Sequence, residues 1–129
     1  MRLLLDTQVG LWWLIGSKRL SAASRRRIAA SSCVISVASV WEVAIKHRLG
    51  RLPVSPTRFR DDLARGGAMI LAIDDEHAIG SATVAIDHAD PFDRLLIATA
   101  LVEGLQLLTA DEALIAAVAS NRALPILGV

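Results

Sequence analysis

Short apolar runs of strand length alternate with longer stretches of helical period from one end of the chain to the other, and this alternation limits the fold more than any single motif. Arg2–Leu5, Cys33–Val37, Met69–Ile73, Leu105–Leu108 and Ala123–Leu127 read as strands. Between them lie segments with helical spacing: Val9 to Ile15, Ser21 to Ser31, Ser39 to Leu49, Thr57 to Arg65, Glu76 to about Val84, Pro91 to Glu103 and Glu112 to Ala119. Gly16, Gly50 and Gly104 stand where helices stop, and Pro91 stands where one starts. Strands joined through helices pair in parallel, which predicts an α/β fold with a central, mostly parallel β-sheet flanked by helices on both faces. Pro125 cannot donate to a ladder, so the last strand is expected at an edge. A chain of 129 residues makes a single domain, 1–129, that buries roughly two-thirds of its unfolded surface.

In such a sheet ligands collect outside the carboxyl ends of the strands. Asp6 ends the first strand and Asp111 follows the fourth, while Glu42 and Asp93 lie near the start of helices that begin at the same end, with Asp90 beside Asp93. Each acid has a local explanation. Asp90 precedes a proline at the first helical position, Asp93 completes a capping-box-like arrangement, Asp111 opens a helix, and Ser39-Val40-Trp41-Glu42 reads as a capping box. Their convergence is harder to explain by capping. Two carboxylates about 4 Å apart repel by ~4 kcal/mol at an effective dielectric near 20, and no Lys or His stands within these motifs to offset that. A divalent cation does offset it, and oxygen ligands without Cys or His favour Mg²⁺ or Mn²⁺ over zinc. Ions held this way act on phosphate oxygens, so phosphodiester hydrolysis is the reaction that suits the acids.

The charge distribution fits a polyanionic substrate. The net charge is only +1, yet Lys18 to Arg65 holds 11 of the 14 basic residues against three acids, and from Gly66 onward nine acids face two arginines. A basic flank beside an acidic cluster draws a phosphate polymer toward a metal site, although solvated helix faces give the same pattern. Arg25, Arg26, Arg27, Lys46, Arg48 and Arg51 are the leading candidates for contact with the backbone of such a polymer, with Arg94 added from the acidic half. The 53% hydrophobic content predicts a large core, yet no run approaches the ~18 apolar residues of a membrane span. The apolar start is interrupted at Asp6 and Gln8, which places the chain in the cytoplasm. Cys33 is the only cysteine and is expected in the core, as are Trp12, Trp13 and Trp41 ahead of a role in partner contact.

Leu3-Leu4-Leu5-Asp6-Thr7, Ser39-Val40-Trp41-Glu42, Asp90-Pro91-Phe92-Asp93-Arg94-Leu95-Leu96-Ile97-Ala98 and Leu108-Thr109-Ala110-Asp111 together resemble the motifs of the PIN-domain ribonucleases, and more narrowly the VapC toxins of bacterial type II toxin–antitoxin pairs. The resemblance spans essentially the whole chain in the right order, with Asp90-Pro91-Phe92-Asp93-Arg94 its most specific part. It implies a metal-dependent endoribonuclease, Asp6, Glu42, Asp93 and Asp111 as metal-binding catalytic acids with Asp90 as an additional one, a cognate VapB-type antitoxin and a homodimer. One departure stands out: position 8 is Gln where relatives frequently have His. A haloacid-dehalogenase-type phosphatase would need a second Asp where Gln8 stands, and a phospho-receiver domain would need a late lysine, whereas the only lysines are Lys18 and Lys46. The alternative outside enzymology is a PIN-like binding module whose acids only cap helices.

Overall fold

The computed structural model describes residues 1–87 and 90–129. Its sheet is formed by β1 (Arg2–Leu5), β2 (Ser32–Ser36), β3 (Met69–Leu71), β4 (Gln106–Thr109) and β5 (Ile126–Gly128), ordered β3-β2-β1-β4-β5 and parallel at every pairing. The helices are α1 (Thr7–Ile15), α2 (Ala22–Ala29), α3 (Val37–Arg48), α4 (Pro56–Arg65), α5 (Asp75–Gly80), α6 (Pro91–Glu103) and α7 (Glu112–Ser120). β1 runs up the middle, its Leu3, Leu4 and Leu5 almost fully buried, as a central strand covered on both faces requires. Successive side chains of a strand point to opposite faces. Leu4 accordingly joins Val34 and Leu107 against Leu96, Ile97 and Ala100 of α6 and Leu114 of α7. Leu3 and Leu5 join Ile35 and Leu108 against Val9 and Leu11 of α1, Ile28 of α2 and Phe59 and Leu63 of α4.

From β1 the chain builds outward to β2 and β3 on one side and returns to β4 and β5 on the other. The carboxyl ends of β1 and β4 therefore meet where the direction of winding reverses, which is where a parallel sheet leaves a crevice. Asp6 and Asp111 sit at that point.

Several boundaries differ from those read in the sequence. β2 ends at Ser36, and α3 starts at Val37 because the Ser36 hydroxyl accepts the Ala38 N–H at 2.9 Å. The capping box expected from Ser39 to Glu42 does not form, and Glu42 lies in the second turn of α3. α5 stops at Gly80 instead of running to about Val84. The guanidinium of Arg94 donates to the carbonyls of Ser81 (2.9 Å), Ile86 (2.8 Å), Ala82 and Val84 (both 3.3 Å), so the chain after α5 satisfies these acceptors without helical bonds. β3 has three residues instead of five. β5 starts after Pro125, at the expected edge, where the Pro125 carbonyl accepts the Leu107 N–H at 2.7 Å.

Trp12 and Trp13 are half-buried against the α1 side of the core. Trp41, expected inside, is 60% exposed and packs on Phe92 at 5.5 Å between ring centroids. It lies roughly 200° around α3 from Ser39, which is buried, so the helix turns it outward. Cys33 is half-buried, its thiol 3.4 Å from the Ile28 carbonyl. No helix among the described residues is long and apolar enough to cross a membrane.

Candidate functional site

The carboxyl ends of β1 and β4 are tied together by one hydroxyl. Asp6 closes β1 and caps α1; its Oδ1 accepts the Thr7 N–H at 2.8 Å and its Oδ2 accepts the Thr109 hydroxyl at 2.7 Å. Thr109 Oγ1 in turn accepts the Asp111 N–H at 3.0 Å, so one side chain fixes both acids. Asp111 caps α7, its Oδ1 accepting the N–H groups of Ala113 (2.9 Å) and Leu114 (3.1 Å). Glu42 reaches in from α3. Its Oε1 accepts the Thr7 hydroxyl at 2.7 Å, and Lys46 Nζ lies 2.8 Å from its Oε2 one turn on. Thr7 Oγ1 is also 2.9 Å from Ser39 Oγ; a hydroxyl carries one proton, so with Thr7 donating to Glu42 it is Ser39 that donates to Thr7. Asp90 caps α6, its Oδ1 accepting the N–H groups of Phe92 (2.8 Å) and Asp93 (3.3 Å), and Asp93 stands in the first turn of that helix.

Asp6, Glu42, Asp90, Asp93 and Asp111 all line one cavity of about 270 Å³, together with Thr7, Gln8, Leu11, Trp12 and Lys46. Lys46 is the one cation among the described lining residues. Burial pushes the Asp6 carboxyl above the ordinary carboxylate range; the hydrogen bonds from Thr109 and Thr7 pull it down, and the neighbouring charges of Glu42 and Asp111 push it up again. A buried acid raised in this way, among further acids, is a charge cluster that a cation relieves. The donor set fits a hard divalent ion, since every acidic donor is a carboxylate oxygen and no His or Cys is among the described lining residues. Capping and ligation do not exclude each other here: Asp90 and Asp111 each cap through Oδ1, and their Oδ2 atoms make no hydrogen bond within the described residues.

The structure thus brings together all five acids singled out from the sequence, and with them Lys46. Of the other basic residues, Arg51 lines an apolar groove that adjoins this cavity, and Arg48 lines a separate one with Trp41 and Leu49. Arg25, Arg26 and Arg27 line none of these. The Arg25 guanidinium donates to the Ser17 carbonyl and lies 5.9 Å from the centre of the Trp13 ring. Arg94 supports the segment after α5. Sequence reasoning missed the hydroxyls of Thr7, Ser39 and Thr109; the available signal was a threonine directly after Asp6 and another two residues before Asp111.

A second group, Asp74, His77 and Glu103, has ligand atoms within 4.8 Å of one another, but both imidazole nitrogens are engaged. Nδ1 accepts the Asp74 N–H at 3.1 Å in a capping box, which leaves Nε2 to donate to Glu103 Oε1 at 2.8 Å. This buried histidine pins α5 to α6.

The sequence profile of the PIN domain matches residues 3–121. Comparison with curated proteins finds no match. Among solved structures, the fold is similar to VapBC2 of Rickettsia felis, bound to a DNA fragment from its promoter, with a TM-score of 0.67, 12% identity and coverage of 99% of this chain and 98% of that one. It is similar to DNA-bound VapBC of Salmonella typhimurium (TM-score 0.63, 16% identity, 99% and 98% coverage). It is also similar to the toxin–antitoxin protein VapBC-5 of Mycobacterium tuberculosis (TM-score 0.55, 20% identity, 99% and 97% coverage). At these identities the likeness is one of fold.

Proposed function

The chain belongs to the PIN-domain family, and from that premise we propose that it is a Mg²⁺- or Mn²⁺-dependent endoribonuclease of the VapC toxin type, a single domain that hydrolyses phosphodiester bonds of RNA. The observation that carries this reading is the convergence of five carboxylates, one of them buried with a raised pKa, on a cavity where Lys46 is the one cation among the described lining residues. Asp6, Glu42, Asp93 and Asp111 would hold the ion, with Asp90 beside them. When bound, such an ion neutralises charge that develops on the phosphate and makes water a stronger nucleophile. The chain's own residues set the acids in place: Thr109 fixes Asp6 against Asp111, and Thr7, backed by Ser39, aims Glu42. A water oxygen bonds to phosphorus, the bond from phosphorus to O3′ breaks, and O3′ takes up a proton, leaving a 5′-phosphate and a 3′-hydroxyl. Arg25, Arg26, Arg27, Lys46, Arg48 and Arg51 are assigned to the RNA backbone.

A VapB-type antitoxin, a homodimer and a cytoplasmic location complete the proposal. The VapBC complexes of similar fold support the antitoxin, and the exposed Trp41 on a chain of high apolar content supports a protein contact. A second reading, a binding module without catalysis, draws support from the fact that Asp6, Asp90 and Asp111 do cap helices. Cleavage of RNA by the wild type separates the two, because a module without catalysis cleaves nothing, and Asp93→Asn then tells ligand from cap. As a first-turn charge alone, Asp93 interacts with the helix dipole by only ~0.3–1 kcal/mol, and its loss would leave cleavage near normal. As a ligand, its neutralisation lowers cleavage of single-stranded RNA by orders of magnitude and shrinks the melting shift produced by Mn²⁺. Near-normal cleavage by this variant, or cleavage by the wild type undiminished in excess EDTA, overturns the metal-dependent reading.

A further inference from the structure

We infer that Lys46 is the acid site's own counter-cation: its ammonium holds Glu42 before an ion binds and competes with that ion for the carboxylate, so that Lys46 sets how tightly the ion is held. The inference rests on the metal-dependent reading above. Lys46 stands one turn after Glu42 on α3, and its Nζ lies 2.8 Å from Glu42 Oε2. The other oxygen, Oε1, accepts the Thr7 hydroxyl at 2.7 Å. Both oxygens of Glu42 are thus engaged, whereas Asp90 and Asp111 each keep an Oδ2 without a hydrogen bond within the described residues. Glu42 is also the more enclosed partner, its side chain 19% exposed against 45% for Lys46.

Two cations at one carboxylate repel each other, so an ion drawn to Glu42 meets an ammonium already there. The ammonium has a way out. Its four-carbon stem is flexible and its head partly exposed, and three rotatable donors let it turn to another acceptor while α3 stays folded. Once released it can meet a substrate phosphate, the role assigned to it above. A pair this exposed is screened by solvent and salt, so its competing effect is about fivefold in the dissociation constant of the ion at low salt and smaller at high salt. Two other roles for the lysine predict differently. If it only supports α3 through its i,i+4 spacing, its removal leaves the affinity for the ion unchanged; if it aims Glu42 at the ion, its removal weakens binding.

Calorimetric titration of the full chain with Mn²⁺, at low salt and without RNA, tests this apart from cleavage. Lys46→Met should bind Mn²⁺ about fivefold more tightly than wild type, with the gain shrinking as salt is added. Lys46→Gln, neutral but polar, should behave in the same way, and Lys46→Arg, which keeps the charge, should stay near wild type. Arg48→Met removes an equal charge from a residue of the same helix that lines a separate groove, so it should change the affinity by less than about twofold. The chain has only two lysines, Lys18 and Lys46, so their ammonium groups are told apart directly in ¹⁵N NMR spectra. The Lys46 ammonium should exchange with water more slowly than that of Lys18, and saturation with Mg²⁺ should remove the difference. Binding by the neutral Lys46 variants that is unchanged or weaker overturns the inference, as does equal tightening in Arg48→Met or a Lys46 ammonium that stays protected in Mg²⁺. If neither wild type nor Lys46→Met binds Mn²⁺ at millimolar concentration, the metal-dependent reading itself fails, which distinguishes that outcome from failure of the lysine's role alone.

Discussion

Asp6 carries conflicting demands. It ends the central strand, caps α1, accepts the Thr109 hydroxyl and is buried beside Glu42 and Asp111. Because its folded-state pKa is raised, chiefly by burial, the folded protein keeps a proton that the unfolded chain has already released. The stability that this provides is complete below the unfolded pKa and is lost as pH rises through the folded one. In EDTA the wild type should therefore lose stability relative to Asp6→Asn as pH rises above the ordinary carboxylate value, and the asparagine variant should be the more stable at pH 7. Its amide oxygen can still accept from Thr7, while Thr109 can turn to accept from its amide nitrogen. Melting temperatures of both proteins from pH 3 to 8 check this, and curves that stay parallel throughout contradict it. Glu42 shows what a local reading loses. Ser39 three residues before it gave the spacing of a capping box, yet Ser36 holds the cap, and the partners of Glu42 are Thr7 and Lys46.

α6 was readable almost to the residue, because Asp90, Pro91 and Gly104 are start and stop signals that act over one turn. Gly104 has φ 67, in the left-handed region, with open space around the position of a Cβ. Gly104→Ala should thus cost about 1–2 kcal/mol through backbone strain alone, seen as a lower urea midpoint with an unchanged m-value. α5 was not readable, because what ends it is not in its own sequence. Arg94, thirteen residues beyond Ser81, supplies the donors for the carbonyls that follow. Arg94→Lys keeps the charge but not the planar fork. It should leave α6 folded, with amide hydrogen exchange faster between residues 81 and 87; unchanged exchange there would mean that Arg94 is not what orders the segment.

For the molecule as a whole, an ion that binds only the folded state stabilises it by mass action. At 100 times its Kd, Mn²⁺ should contribute ~2.7 kcal/mol, a rise in melting temperature on the order of 10 °C for a chain of this size. EDTA should reverse the rise, and Asp93→Asn should reduce it. Scanning calorimetry with and without Mn²⁺ measures it, and no shift at millimolar Mn²⁺ would count against an ion in the acid cavity. The parallel sheet explains why charge can be stored there: β1 and β4, buried on both faces, supply the stability against which a few unfavourable carboxylates are held.

The class of fold, and which acids gather at the carboxyl end of the sheet, were legible in local sequence. Hydrophobic period and turn chemistry are local properties, and a strand followed by a helix leaves little choice but a parallel sheet whose strand ends gather side chains on one side. Only the tertiary structure decided what those acids face. The β3-β2-β1-β4-β5 order places Thr109 against Asp6 across 103 residues of chain, and the packing of α3 beside α1 sets Thr7 against Glu42 and Lys46 at the junction of cavity and groove. The same packing leaves Trp41 outside and turns Arg94 inward toward carbonyls. These are contacts between residues far apart in the chain, and their energies depend on burial and mutual orientation, which no pattern along a single segment encodes.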